Sequence, residues 1–264
     1  MRKFVRVVAW ELKNIARFPI VEVLLALLVF QVMSSTLVNA RSISRTYFPF
    51  DEFPQGLMLS DLVRQIATDL AGAFISTSFI GVVSATMLFS YQYETGLTKF
   101  YMSLPIKRTN FFLAKLLACF LVPFLMLVAV GCTAELFLNP VSVLFLFSAP
   151  MVLARALLII GEMVLFVIAV SISLSILSHN TAVSFISSLA ILYGLTLVSG
   201  SIGVPILPPA SFSQGLWSFL FYSQRDFWST YPGWTGAGTL ALTPTVTLIL
   251  LVVSYFYFSR RLNL

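Results

Sequence analysis

The chain has 264 residues, 59% of them hydrophobic and 10% charged, whereas soluble domains are about 45–50% apolar and about 25% charged; too little polar surface remains to cover a water-soluble fold of this length. The net charge of +6 sits in short clusters at the ends of apolar runs, which excludes a nucleic-acid-binding role and matches the basic flanks of a membrane protein. Cys119 and Cys132 share one apolar run and would stand about 20 Å apart along a helix, beyond disulfide reach.

Residues 1–18 form a first unit. At about 100° per residue, Phe4, Val5, Val8, Leu12 and Ile15 fall on one arc, and Arg2, Lys3, Arg6, Lys13 and Arg17 on the opposite one. This pattern predicts an amphipathic interfacial helix with its basic arc against anionic headgroups. The apolar run that follows, from Pro19 to Val38, is too long for the core of a secretory signal peptide and reads as a membrane span, with Pro19 at its first position.

Residues 19–264 read as a six-span domain, since about 18 or more apolar residues are needed to cross a hydrocarbon core about 30 Å thick. The predicted spans are 19–38, 66–91, 111–136, 151–177, 181–203 and 239–258. Between the first two lies an irregular polar loop containing Pro49, Asp51, Glu52, Pro54 and Asp61; Asn139-Pro140 marks a turn after the third, and Ser178-His179-Asn180 one after the fourth. Residues 204–238 hold three of the four tryptophans and an apolar stretch, Gly215 to Tyr222, too short to cross; they predict an external re-entrant or interfacial segment.

Orientation follows from the basic residues. With the N-terminus inside, eleven Lys and Arg are cytoplasmic (Arg2, Lys3, Arg6, Lys13, Arg17, Lys99, Lys107, Arg108, Lys115, Arg260 and Arg261), four are external (Arg41, Arg45, Arg64 and Arg225), and Arg155 is within a span. The asymmetry predicts that both termini are cytoplasmic.

Motifs for chemistry are few. The chain lacks G-x-x-x-x-G-K-[ST], so it has no P-loop for nucleotide phosphates, and it lacks H-E-x-x-H, C-x-x-C and a nucleophile elbow. No catalytic, cofactor or metal site is expected. His179, the only histidine, reads as a polar turn residue. Among the ionisable residues within predicted spans, Glu22, Asp69, Arg155 and Glu162 are the intramembrane polar candidates. Each would cost about 2.5–3.5 kcal/mol at a span centre. Glu22 and Asp69 lie near span ends, and Arg155 can snorkel outward. Glu162 is near mid-span and is expected to face another helix or a translocation path.

Residues 92–108 stand out. Gly96 breaks the second span; Leu97, Phe100, Tyr101 and Leu104 recur at helical spacing as one apolar edge, and Pro105 ends the segment. A short apolar stripe beside a membrane needs a partner, either the membrane interface or a groove in another protein. The run from Tyr93 to Arg108, with Glu94, Gly96 and Pro105-x-x-Arg108, leads into a span carrying Lys115. It resembles the first cytoplasmic loop of ATP-binding-cassette (ABC) type 2 permeases, and the layout of the whole chain is similar to theirs.

The resemblance implies a membrane-spanning permease subunit, an exporter in most members. It implies coupling through Glu94, Gly96, Leu97, Phe100, Tyr101, Leu104, Pro105 and Arg108 to a separate cytoplasmic ATPase present in two copies. A second permease, identical or related, would complete the assembly, with ATP and magnesium bound on the ATPase. The loop from Asn39 to Gln65 is longer than in the smallest members. Two other classes compete: a secondary transporter using Asp69, Glu162 and Arg155, against which the lack of inverted repeats weighs, and a membrane-embedded enzyme, for which no nucleophile or metal partner is evident.

Overall fold

A computed structural model describes residues 2–16, 22–30, 74–98, 107–138, 150–202 and 237–261, all helical apart from short turns. We label the helices α1 (Arg2–Ala16), α2 (residues 22–30), α3 (Phe74–Glu94), α4 (Arg108–Leu138), α5 (Pro150–Ser178), α6 (Thr181–Ile202) and α7 (Ala237–Arg261). Five of them, α3 to α7, are long and apolar enough to cross a membrane. The described residues contain no strand. In hydrocarbon, where no water satisfies backbone N–H and C=O groups, a helix meets that demand within its own segment.

Their boundaries have local causes. α3 stops where Gly96 takes a left-handed conformation, φ +74°, open to glycine at no steric cost. α5 and α6 are separated by His179 and Asn180 alone. His179 turns the chain with φ +55°, and Asn180 Oδ1 accepts the Val183 N–H at 3.1 Å, capping α6. Pro150 opens α5, where its missing N–H has no helical partner to lose.

α3 and α5 form the centre. α3 is the most enclosed of the five long helices, and α6 the least. The close approach of α3 to α5 depends on Gly81, where a Cβ would stand 2.6 Å from Val167 Cγ1. Lipid tails are as apolar as leucine, so packing and hydrogen bonds rather than water exclusion hold such helices together. Ser90 Oγ donates to Ser175 O at 3.1 Å, and hydroxyl pairs join Ser175 to Ser184 at 2.6 Å and Ser173 to Ser254 at 2.9 Å. α7 packs along α5, and its Phe258 meets Phe89, Phe111 and Phe112.

α1 differs from expectation in one respect. It packs against α4 rather than only lying on a lipid surface. Val8 and Ile15 are buried as the amphipathic pattern predicts, but Val5 is 61% exposed and Glu11 is fully buried. The helix turns the acidic residue inward because α4 presents a cation to it. Of the predicted first span, residues 22–30 are described; the remainder of 19–38, the predicted loop 39–65, residues 66–73 of the predicted second span and the segment 204–236 lie outside the described residues.

Candidate functional site

The C-terminus of α3, the N-terminus of α4, the α5–α6 turn, the C-terminus of α7 and α1 meet at one end of the bundle. Contacts between them are specific. Arg108 donates to Ser259 O at 3.2 Å, and the Thr109 hydroxyl pairs with the Tyr255 hydroxyl at 2.7 Å, joining α4 to α7. Tyr93 stacks on His179 with ring centroids 4.3 Å apart, so the histidine of the α5–α6 turn is a packing partner of α3 as well as a turn residue.

The core of this end is a buried charge cluster. Lys115 on α4 and Glu11 on α1 are 1% and 0% exposed, with Nζ 3.4 Å from Oε1. Gln92 on α3 bridges them: its Nε2 donates to Glu11 Oε2 at 2.9 Å, and its Oε1 accepts from Lys115 Nζ at 2.5 Å. Lys115 also donates to the Leu88 carbonyl. The rings of Phe89 and Phe111 lie 5.4 Å and 5.0 Å from the ammonium, adding cation–π attraction in a desolvated setting. A void of 20 Å³ beside Lys115, bounded by Thr98, Ser175 and His179 among others, has room for about one water. Burying two ions costs several kcal/mol each, which is offset only when the pair is close and its remaining hydrogen-bonding capacity is met. Gln92 and the Leu88 carbonyl meet much of that demand.

Leu88 lies within a π-helical turn, Met87–Tyr91. Such i→i+5 turns are rare inside α-helices and concentrate at functional sites. Just beyond it, Glu94 reaches across to α6, where Oε2 accepts from the Thr181 N–H at 3.1 Å and the Thr181 hydroxyl at 2.6 Å. A carboxylate at a helix N-terminus also complements the helix dipole. The final residues of α3 are therefore held from two sides, by α1 and α4 through Gln92 and by α6 through Glu94.

A groove of 690 Å³ opens beside this joint. Val23, Leu24 and Leu27 of α2, Phe79, Val83 and Met87 of α3, and Ala182 and Phe185 of α6 supply apolar walls, and Thr86, Glu94, Asn180 and Thr181 its polar groups. It is an amphiphilic space between three helices.

The residues singled out in the sequence fall as follows. Glu94 and Arg108 are in the joint, and Gly96 is the left-handed residue that ends α3. Leu97 is 39% exposed, while its neighbour Thr98 is buried. Phe100, Tyr101, Leu104, Pro105 and Asp69 lie outside the described residues. Glu22 is exposed at the start of α2, Arg155 and Glu162 are partly buried on α5, and neither is brought to the joint.

Glu11, Gln92 and Lys115 were not foreseen as a set, and Lys115 is no surface charge facing headgroups. Two signals were available. Lys115 lies inside an apolar run that demands a partner, and Glu11 is the sole acidic residue in an otherwise basic helix.

The helices and this end of the bundle define a multi-pass membrane protein. No family model matches the chain, and no curated protein matches it either.

Proposed function

We propose that this protein is the membrane-spanning permease subunit of an ATP-driven ABC-type transporter, an exporter with six spans and both termini in the cytoplasm. It pairs with a second permease and rests on two copies of a separate ATPase, which bind ATP and magnesium. The groove between α2, α3 and α6 belongs to the translocation path. The segment from Gln92 to Arg108 is the coupling element, with Phe100 and Tyr101 docked in the ATPase.

The observation that carries this reading is the double anchoring of the end of α3, by Gln92 to Glu11 and Lys115 and by Glu94 to Thr181. A segment that transmits force must leave the membrane from a stiff joint, and the polypeptide leaves α3 directly after these contacts. The P-x-x-R resemblance of the same stretch and the lack of a P-loop anywhere in the sequence point the same way.

The test is recovery of an ATPase subunit with tagged full-length chain from native membranes, in the parent and in Phe100→Ala, Tyr101→Ala and Glu94→Gln. Truncating a well-buried interface aromatic costs about 2 kcal/mol, roughly 30-fold in affinity, so at least one aromatic variant loses the ATPase. Glu94→Gln keeps it and transports less, because only the link to Thr181 is weakened. Parental association and transport in all three variants would refute the assignment.

A second reading, a secondary transporter, draws on Glu162, which makes no hydrogen bond or ion pair with the described residues. It predicts transport driven by an ion gradient with no ATPase bound.

A further inference from the structure

A π-turn persists only where its surroundings favour it, because its hydrogen-bond geometry is poorer than that of the α-helix on either side. The turn Met87–Tyr91 has one such surrounding feature with no other evident purpose. The Lys115 ammonium takes hold of two points on the same helix, the Leu88 carbonyl within the turn and the Gln92 side chain just after it. In a regular α-helix the Leu88 carbonyl would accept the Gln92 N–H; Lys115 satisfies that oxygen from outside.

Register has a direct consequence here. Relaxing one π-turn to an α-turn rotates all that follows by about one residue position, roughly 100°. Gln92 would leave the face that meets Glu11, and the exposed Tyr91 would turn toward it. Glu94 would leave Thr181.

We infer that Lys115, charge-balanced by Glu11, is a positioning residue that holds the π-turn in α3 and so sets the direction in which the segment after Gly96 leaves the bundle. The inference deepens the proposed coupling role and rests on it for its consequence in transport; the geometry of the turn can be read separately. Simple anchoring of α1 to α4 would need only the Glu11–Lys115 pair. The bonds to Leu88 and Gln92 instead direct the same cation onto α3.

The experiment uses the full chain with Cys119→Ala and Cys132→Ala, carrying Glu94→Cys and Thr181→Cys. Cross-linking by a short bis-methanethiosulfonate reagent then reports the register, and a thermal unfolding midpoint reports folding. Into this background go two variants: Glu11→Leu/Gln92→Leu/Lys115→Met, which replaces the cluster with apolar side chains, and Glu11→Gln/Lys115→Gln, which keeps hydrogen-bonding amides without charge. We expect the 94–181 cross-link to fall at least fivefold in either variant while the protein still unfolds in one cooperative transition; destabilisation with the register kept would leave the cross-link at its parental yield.

A parental cross-link yield in a folded variant would overturn the assignment, because the register would then be independent of Lys115. Failure of both variants to fold would overturn it as well, since the cluster would be a folding determinant and not a register device. If the cross-link falls as expected and the tagged parent chain recovers no ATPase, the role of Lys115 stands and the permease reading fails; if ATPase recovery and coupling persist while the cross-link is unchanged, the reverse holds.

Discussion

Replacing Lys115 with methionine keeps most of the side-chain volume and removes the cation, leaving Glu11 as an uncompensated carboxylate with 0% exposure. Breaking a buried pair from one side costs about 3–5 kcal/mol. Glu11→Leu leaves the ammonium in the same position, at similar cost. Removing both charges together avoids either penalty but orphans the Gln92 amide and the Leu88 carbonyl, at about 1.5 kcal/mol each. The double variant should therefore cost about 3 kcal/mol, no more than either single change, giving an interaction energy of about 3–7 kcal/mol in magnitude, at or above the top of the usual range for neighbouring residues. At about 2–4 °C per kcal/mol for a chain of this size, each single variant should unfold roughly 6–20 °C below the parent. A built-in reporter is available: Cys119, one turn beyond Lys115, is fully buried, while Cys132 is exposed. In a Cys132→Ser background, alkylation of Cys119 by a fluorogenic maleimide during heating follows the opening of this region. Additive effects of the two substitutions, or single variants that open at the parental temperature, would show that the pair is not the buried, coupled unit described.

Three further outcomes are expected. Gly81→Val should destabilise the α3–α5 contact by about 1–3 kcal/mol through overpacking, because a Cβ there meets Val167 Cγ1 at 2.6 Å; Val167→Ala should recover part of the loss in the same thermal assay. Glu162→Gln should assemble as the parent does and change transport or ATPase stimulation, since it keeps the volume and removes the charge; unchanged activity in reconstituted vesicles would assign the carboxylate to packing. In a variant lacking Cys119 and Cys132, a cysteine at Thr95, exposed just after α3, should react with impermeant maleimide only after lysis and one at Ser213 in intact cells; Thr95 is the better probe than Thr98, which is buried, and reversed labelling would defeat the orientation.

Helix content and the approximate positions of the long apolar helices were legible without any structure, because a run of about 18 apolar residues has few alternatives to a membrane helix. Breaks were legible for the same kind of reason: Gly96 tolerates positive φ, and Ser178-His179-Asn180 is the one polar interruption between two apolar stretches. The candidate site was visible only in part. Glu94, Gly96 and Arg108 could be marked because they sit where chain direction changes, while in the sequence Lys115 reads as one of several flanking positive charges and the amphipathic pattern of residues 1–18 leaves Glu11 unassigned. Periodicity assigns residues to faces of one helix, but it does not say which face of α1 meets which face of α4, and that pairing alone converts two ordinary charges into a buried ion pair. The π-turn was hidden for a related reason. Met87 to Tyr91 has no local sequence feature that excludes an α-turn; its register is decided by Lys115, more than twenty residues away in sequence and on another helix, and by the hydrogen bond from Ser90 to Ser175. Apolar length determines that these segments enter a membrane, whereas the partners of the few polar groups carried in with them, each too costly to leave unsatisfied, are decided by tertiary packing.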